Sequence, residues 1–197
     1  GDTIRFVAVD NTVVTRTIAA VKNVGPANSS DGYATDFQIC TLDEDLPAGI
    51  KHYSVLPAEW TDYIRHLNIG LPTLGLDQEE KALVQDLYSL DTFAVHRVPS
   101  DSQRLAFYES KITGDSGNPS LLILDDEPVL VTLWTFGGPG SGPNIARLHD
   151  LINAAMTANG SPYQLTVADL SAWHDYKWRN EILAKTVAYY TLDDLQD

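Results

Sequence analysis

Residues 114–136 read GDSGNPSLLILDDEPVLVTLWTF, and this stretch carries the strongest indication of the fold. It begins with Ser116 in a short turn between glycines, immediately before an apolar run. Glycine allows neighbouring backbone N–H groups to point in the same direction, and such a turn can hold a negatively charged oxygen. The same residue types also form ordinary hairpin turns. The turn alone therefore leaves a functional and a purely structural interpretation open.

The residues after the turn predict a β-hairpin. Ser120–Leu124 and Pro128–Phe136 are apolar runs, and the acidic residues 125–127 between them supply the turn. A strand directly after the serine argues against the nucleophile elbow of α/β-hydrolases, in which a helix follows. That elbow also needs a glycine where this chain has Asn118. The pattern favours a β-rich fold.

The six residues 114–119 resemble the Gly-Asp-Ser-Gly-Gly-Pro signature of chymotrypsin/trypsin-like serine proteases, with Asn118 in place of a glycine. The similarity continues along the chain in the order that the family has. Residues 135–137 (Thr-Phe-Gly) resemble its substrate-binding Ser-Trp-Gly strand. Residues 143–147 resemble its Pro-Gly-Val-Tyr-Ala/Thr-Arg segment, and residues 148–157 resemble its closing helix. Several motifs in the right order are much harder to obtain by chance than one hexapeptide.

The resemblance implies a mostly β fold with two antiparallel β-barrels of the chymotrypsin type. The first barrel is expected to be incomplete, and a C-terminal helix and a helical tail are expected after the second. We assign residues 1–56 to the remainder of the N-terminal barrel and residues 57–91 to a helical connection between the barrels. Residues 92–158 are assigned to the C-terminal barrel with its closing helix, and residues 159–197 to an extension of unknown role.

Residue patterns predict the secondary structure within these regions. Residues 3–21 read as a β-hairpin, because two strand-like runs flank an Asp-Asn turn. Pro57–Leu67 and Asp77–Leu90 read as helices, the second with an aspartate as its N-cap. Asn68–Leu76 reads as a loop because it holds glycine and proline. Val167–Lys185 is rich in helix formers and aromatic residues, which favours a helix there.

The resemblance also implies the reaction, which is the hydrolysis of peptide bonds by a serine endopeptidase through an acyl-enzyme. Ser116 is the expected nucleophile, and the backbone N–H groups of Gly114 and Ser116 are expected to hold the oxyanion. Asp115 is expected to support this turn through an ion pair. Its partner in animal members is a newly cleaved N-terminus, for which Arg97 or Arg104 is a candidate here.

The expected substrate is a peptide or protein. By resemblance, Thr135, Phe136 and Gly137 are expected to pair with the substrate backbone as an added strand. Ser110, six residues before the nucleophile, corresponds to the floor of the primary specificity pocket. Because a serine is neutral, nothing predicts a strong preference for Arg or Lys side chains.

Asp36 is the predicted aspartate of the catalytic triad. Residues 34–42 read ATDFQICTL and resemble the family's Asp-Ile-Ala-Leu-Leu-x-Leu strand. The triad aspartate orients the histidine and stabilises its charged form, so it is expected to be buried at the junction of the two barrels. The alternative is a loop aspartate that hydrogen bonds to its own turn.

The catalytic histidine presents a difficulty, because the family order is His, Asp, Ser and no histidine precedes Asp36. Either the chain is a fragment whose histidine lies upstream of Gly1, or it is an inactive relative that binds peptide or protein. As it stands, the chain is expected to lack its general base. For the histidines that follow Asp36, nothing except residue type supports a catalytic role. His96 reads as a strand residue. The five histidines of the chain are His52, His66, His96, His149 and His174.

Composition argues against several classes of partner. The formal net charge of −14 disfavours nucleic acid and anionic membrane surfaces, because both repel an acidic protein. No apolar run approaches the roughly 20 residues that span a bilayer, and no residue spacing indicates a metal site or a cofactor. The single cysteine, Cys40, excludes an internal disulfide. The chain therefore resembles the disulfide-free bacterial members, which implies a secreted or periplasmic location.

Overall fold

The computed structural model describes residues 1–25, 32–62, 70–79, 81–124 and 126–171. Residues 1–166 form one compact unit, which contains all the elements named below, and residues 167–197 form a second unit. The strands are β1 (Thr3–Val7), β2 (Val13–Asn23), β3 (Gln38–Leu42), β4 (Ser54–Val55), β5 (Leu71–Leu76), β6 (Ala82–Leu90), β7 (Phe93–Arg97), β8 (Pro119–Leu124), β9 (Glu127–Leu133) and β10 (Ser141–Pro143). The helices that are described in full are α1 (Ser102–Leu105) and α2 (His149–Ala158), and a 3₁₀ turn spans Gly32–Thr35.

The described strands form two sheets. A three-stranded antiparallel sheet has the order β1-β2-β3, and a seven-stranded sheet has the order β10-β7-β6-β5-β8-β9-β4. In the larger sheet only β4, next to β9, pairs in parallel. The mostly β class is confirmed. Within the described residues neither sheet closes into a barrel.

Both predicted hairpins are confirmed. β1 and β2 pair antiparallel around a turn at Asn11, whose φ is 66°. β8 and β9 pair antiparallel around a turn at Asp126, also with a φ of 66°. Asparagine and aspartate tolerate this left-handed conformation better than other non-glycine residues do, which is why turn chemistry identified both sites.

The prediction of a helix at Asp77–Leu90 is wrong, because residues 82–90 form β6 and lie between β5 and β7 in the sheet. The prediction of a loop at Asn68–Leu76 is wrong for residues 71–76, which form β5. Pro72 is tolerated in β5 because that strand pairs with β6 along its whole length but with β8 only at Leu74 and Gly75. At a strand position with no partner on one side, a proline costs no ladder hydrogen bond when its missing N–H would face that side.

The other predicted helices are described only in part. A helical turn begins at Trp60, where the N–H groups of residues 60–62 bond to carbonyls three residues earlier. Residues 63–67 of the predicted helix lie outside the described residues, as do residues 172–185 of the predicted tail helix. The prediction of a helix from Val167 is wrong for residues 167–170, which are described and are not helical. No helix among the described residues is long and apolar enough to cross a membrane.

Helix α2 packs beside the smaller sheet through one apolar face. Ile152 and Ala155, three residues apart, are buried in a cluster with Val24, Val55 and Ile145. A spacing of three residues places both side chains on the same side of a helix. The cluster therefore joins α2, the end of β2 and strand β4 of the larger sheet in one core.

Candidate functional site

Ser116 lies at the second position of a tight turn. The turn spans Asp115–Asn118 and is closed by a hydrogen bond of 3.1 Å from the Asn118 N–H to the Asp115 carbonyl. Gly117 occupies the third position with a φ of 87°, which is the conformation that a type II turn requires of glycine at this position. The serine itself is exposed. The predicted nucleophile is therefore presented to solvent on a hydrogen-bonded turn.

Gly114 precedes this turn in a conformation that other residues rarely adopt, with a φ of 108°. A Cβ atom at Gly114 would collide with the side-chain amide of Gln78. Among the described residues, neither the N–H of Gly114 nor that of Ser116 has a hydrogen-bond acceptor. These are the two N–H groups that the resemblance assigns to the oxyanion.

Asp115 is buried, and its carboxylate holds the turn in place through hydrogen bonds. It is 2% exposed, and its carboxylate accepts the N–H of Ile112 at 2.7 Å and the N–H of Gln78 at 2.9 Å. Burial acts to raise the pKa of Asp115, but these two N–H groups and the positive charge of Lys111 hold it below its ordinary value. The predicted supporting role of Asp115 thus has a physical basis in two hydrogen bonds.

The expectation that Arg97 or Arg104 forms an ion pair with Asp115 is wrong. Arg104 pairs with Asp86 at 3.2 Å, and the guanidinium of Arg97 lies 5.1 Å from the ring centre of Tyr88. The charge that acts on Asp115 comes from Lys111. No sequence motif marked this lysine, because its relation to Asp115 depends on how the loop before the turn folds back.

The structure brings three of the predicted segments of the site together. The N–H of Gly117 donates to the Trp134 carbonyl at 2.8 Å, and the N–H of Trp134 donates to the Asn118 carbonyl at 2.9 Å. Lys111 and Gly138 exchange two backbone hydrogen bonds, of 2.7 and 3.0 Å. The Ser116 turn, the segment after Ser110 and residues 135–137 therefore lie on adjoining strands and loops.

The backbone of residues 135–137 is already engaged within the protein. The N–H groups of Thr135 and Phe136 donate to the Ser141 carbonyl at 2.9 and 3.0 Å, and the Ser141 N–H donates to the Phe136 carbonyl at 3.3 Å. The carbonyl of Gly137 accepts the N–H of Gly140 at 3.3 Å. A substrate strand added here has to use other backbone groups, and the substrate-binding role of these three residues stays a prediction.

Ser110 lies at the surface near the same loop. It is exposed, and its hydroxyl is 3.1 Å from the hydroxyl of Tyr108. Its assignment to the floor of a specificity pocket stays a prediction.

Asp36 lies between the 3₁₀ turn and β3, on the smaller sheet. It is exposed, and its carboxylate forms no hydrogen bond within the described part of the chain. The expectation that Asp36 is buried is therefore wrong. A triad aspartate needs burial to hold its histidine, so the role of Asp36 stays a prediction that this surface position does not favour.

The described histidines have other partners than Ser116. His96 lies in β7 as predicted, with its Nε2 atom 3.0 Å from the Ser120 hydroxyl. His52 lies 3.1 Å from the Thr166 hydroxyl, and His149 lies 2.9 Å from an Asp150 oxygen. The other two, His66 and His174, are outside the described residues.

His96 is unsuited to act as a general base near neutral pH. It is 4% exposed, and its ring packs edge-on against Trp134 with 4.7 Å between the centres. Burial lowers the pKa of His96 to about 3. The Gly140 backbone opposes this shift, and the charge of Lys111 adds to it.

No group of three or more His, Cys, Asp or Glu residues within the described ranges is arranged to hold a metal ion. A scan against protein-family models finds no match to this chain, and a search of curated proteins finds none either.

Proposed function

We propose that this chain carries the nucleophile of a chymotrypsin-type serine endopeptidase, which hydrolyses peptide bonds through an acyl-enzyme on Ser116. One observation carries the proposal. The exposed Ser116 lies on a turn that a buried carboxylate holds, between two glycines with positive φ. An ordinary hairpin turn needs no buried carboxylate to hold it, whereas a catalytic turn needs a fixed geometry.

The proposed chemistry follows from this arrangement. The Ser116 hydroxyl attacks the carbonyl carbon of the scissile peptide, and its proton passes to a histidine outside the described residues. The N–H groups of Gly114 and Ser116 bind the oxyanion that forms, and each such donor contributes about 3 kcal/mol in comparable sites. The histidine then protonates the leaving amine, and water hydrolyses the acyl-enzyme.

The finer architecture belongs to the same proposal. We infer that the two open sheets are parts of two antiparallel barrels, with α2 as the closing helix. The antiparallel hairpins β5–β6 and β8–β9 next to the Ser116 turn support this arrangement. By the same resemblance, the substrate is a peptide or protein and the location is secreted or periplasmic in a bacterium.

A second candidate function is a protease-like domain that binds peptide or protein without cleaving it. The exposure of Asp36 favours this candidate, because an exposed carboxylate cannot orient a histidine as a buried one does.

A fluorophosphonate probe tests the proposal, because it reacts only with an activated serine. We expect labelling in a protein that contains this chain together with its catalytic histidine, and we expect Ser116→Ala to lose all labelling. The matched control is Ser102→Ala, which removes an exposed hydroxyl in α1 and should leave labelling unchanged. Without that histidine the chain should react slowly or not at all.

Equal labelling of Ser116→Ala in that protein would exclude Ser116 as the nucleophile. Absence of labelling in that protein, together with measurable peptide binding, would establish the second candidate. Rapid labelling of the isolated chain would mean that one of its own five histidines is the base.

A further inference from the structure

Lys111 is buried beside the Ser116 turn and, within the described residues, contacts no carboxylate directly. It is 3% exposed. Its Nζ atom donates to the Leu76 carbonyl at 2.8 Å and lies 5.2 Å from the ring centre of Trp134. Lysine is almost never buried without a charged partner, because its ammonium group loses its hydration there. The position of this charge therefore requires an explanation.

We propose that Lys111 is a positioning residue for the Ser116 turn: its side chain ties Leu76 to the segment that leads into the turn, and its charge favours the ionised carboxylate of Asp115, which holds the turn. The catalytic meaning of this role rests on the proposed function of Ser116. The coupling between Lys111 and Asp115 is measurable without it.

The geometry supports the proposal because both side chains tie the same two segments together. Lys111 binds the carbonyl of Leu76, and Asp115 binds the N–H of Gln78, two residues further on. The other Asp115 oxygen binds the N–H of Ile112, the residue after Lys111. A displacement of either segment therefore disturbs the contacts of both charges.

The electrostatics agree with this geometry. Burial lowers the pKa of Lys111, and the charges of Asp115, Asp77 and Glu109 oppose part of that shift. His96 also faces this region, but it is neutral near pH 7 because its pKa is about 3. The carboxylates around Lys111 thus stabilise its charged form, and Lys111 in turn stabilises the charged form of Asp115.

Loss of the Lys111 charge has a defined consequence for Asp115. Burial already acts to raise the pKa of this carboxyl, and removal of the lysine charge removes one of the influences that lower it. Its pKa then rises, and a protonated carboxyl is a weaker acceptor for the N–H groups of Ile112 and Gln78.

The test replaces Lys111 with methionine, which has a similar length and no charge. The amide signal of Ile112 in NMR reports the titration of Asp115, since this N–H binds its carboxylate. We expect Lys111→Met to move that titration to higher pH. Amide hydrogen exchange at Ile112 and Gln78 should become about five- to tenfold faster, because loss of the hydrogen bond from Lys111 to the Leu76 carbonyl loosens the two segments that Asp115 joins.

The matched control is Lys81→Met. Lys81 lies 2.8 Å from Glu79 and 3.7 Å from Glu109, but its side chain is 49% exposed. This variant should leave the Asp115 titration unchanged, because solvent screens an exposed charge. A second readout separates positioning from packing. Lys111→Met should lower the urea midpoint, because it leaves the Leu76 carbonyl without its donor, whereas a loss of packing by itself does not move the Asp115 titration.

The unsubstituted protein provides a measurement that does not depend on how a variant folds. As pH rises, the indole signal of Trp134 and the amide signal of Ile112 should shift together, at a lower pH than the exposed lysines titrate. An Asp115 titration that is identical in Lys111→Met and the unsubstituted protein would overturn the inference, even if Ser116 is labelled by the probe. A shifted Asp115 titration without labelling would instead contradict the proposed function and leave the coupling intact.

Discussion

The two sheets of this protein differ in how deeply their strands are buried. In the seven-stranded sheet, Leu87 and Leu90 of β6 are fully buried, and so are the polar residues Gln85 and Thr132. In the three-stranded sheet, no residue of β1, β2 or β3 is buried to that degree. The Ser116 turn is hydrogen bonded to the segment that follows β9 of the larger sheet, whereas Asp36 precedes β3 of the smaller one. A fixed site is therefore easier to build around Ser116 than around Asp36.

The largest expected effect is the acid sensitivity that His96 gives to the larger sheet. The pKa of His96 is about 3 in the folded protein, whereas its ordinary value is 6.5. Between these pH values the unfolded chain binds one proton more, so the stability is complete above pH 6.5 and is lost as the pH falls towards 3. The full loss amounts to roughly 5 kcal/mol.

Urea unfolding at a series of pH values measures this loss. His96→Gln can still hydrogen bond to Ser120 but does not titrate. The loss of stability that begins near pH 6.5 should therefore disappear, while the loss from carboxyl groups with a lowered pKa, such as Asp115, remains. His52→Gln, at an exposed histidine, should retain it. If both variants keep the acid sensitivity of the unsubstituted protein, His96 is not its source.

The second prediction compares core positions of the two sheets. Leu87 is 0% exposed, so Leu87→Ala should lower the free energy of unfolding by about 3 kcal/mol. Val14 in β2 is only partly buried, so Val14→Ala should cost about 1 kcal/mol. Chemical denaturation of both variants measures the difference. Equal losses would show that the smaller sheet is packed as firmly as the larger one.

The third and smallest effect compares the two predicted site aspartates. Asp115→Ala leaves the N–H groups of Ile112 and Gln78 without their acceptor and should cost about 2 kcal/mol. Asp36→Ala removes an exposed carboxylate and should change the free energy of unfolding by less than about 0.5 kcal/mol. The same urea titration reads both. A large loss of unfolding free energy in Asp36→Ala would show that this carboxylate has a buried partner, as the expected triad requires.

The strongest failure of the sequence analysis concerns residues 77–90, and its cause is specific. Asp77, with glutamates two and three residues later, has the chemistry of a helix start. In the structure the Asp77 carboxylate accepts the N–H groups of Glu79 and Lys81 at 2.8 Å, and this interaction stabilises the loop between β5 and β6. The same side-chain hydrogen bonds cap helices and stabilise turns. Only the pairing of β6 with β5 and β7 decides between them.

Sequence by itself determined the local elements. The hairpin β8–β9, the hairpin β1–β2 and the glycine-flanked turn at Ser116 depend on turn residues and apolar patterns that act over a few positions. Contacts between distant segments were decided only by the tertiary structure. They bury Lys111 near Asp115, engage Thr135 and Phe136 with Ser141, and leave Asp36 in solvent. Burial depends on which distant segments come into contact in space. The residues next to a position in the sequence do not show those contacts.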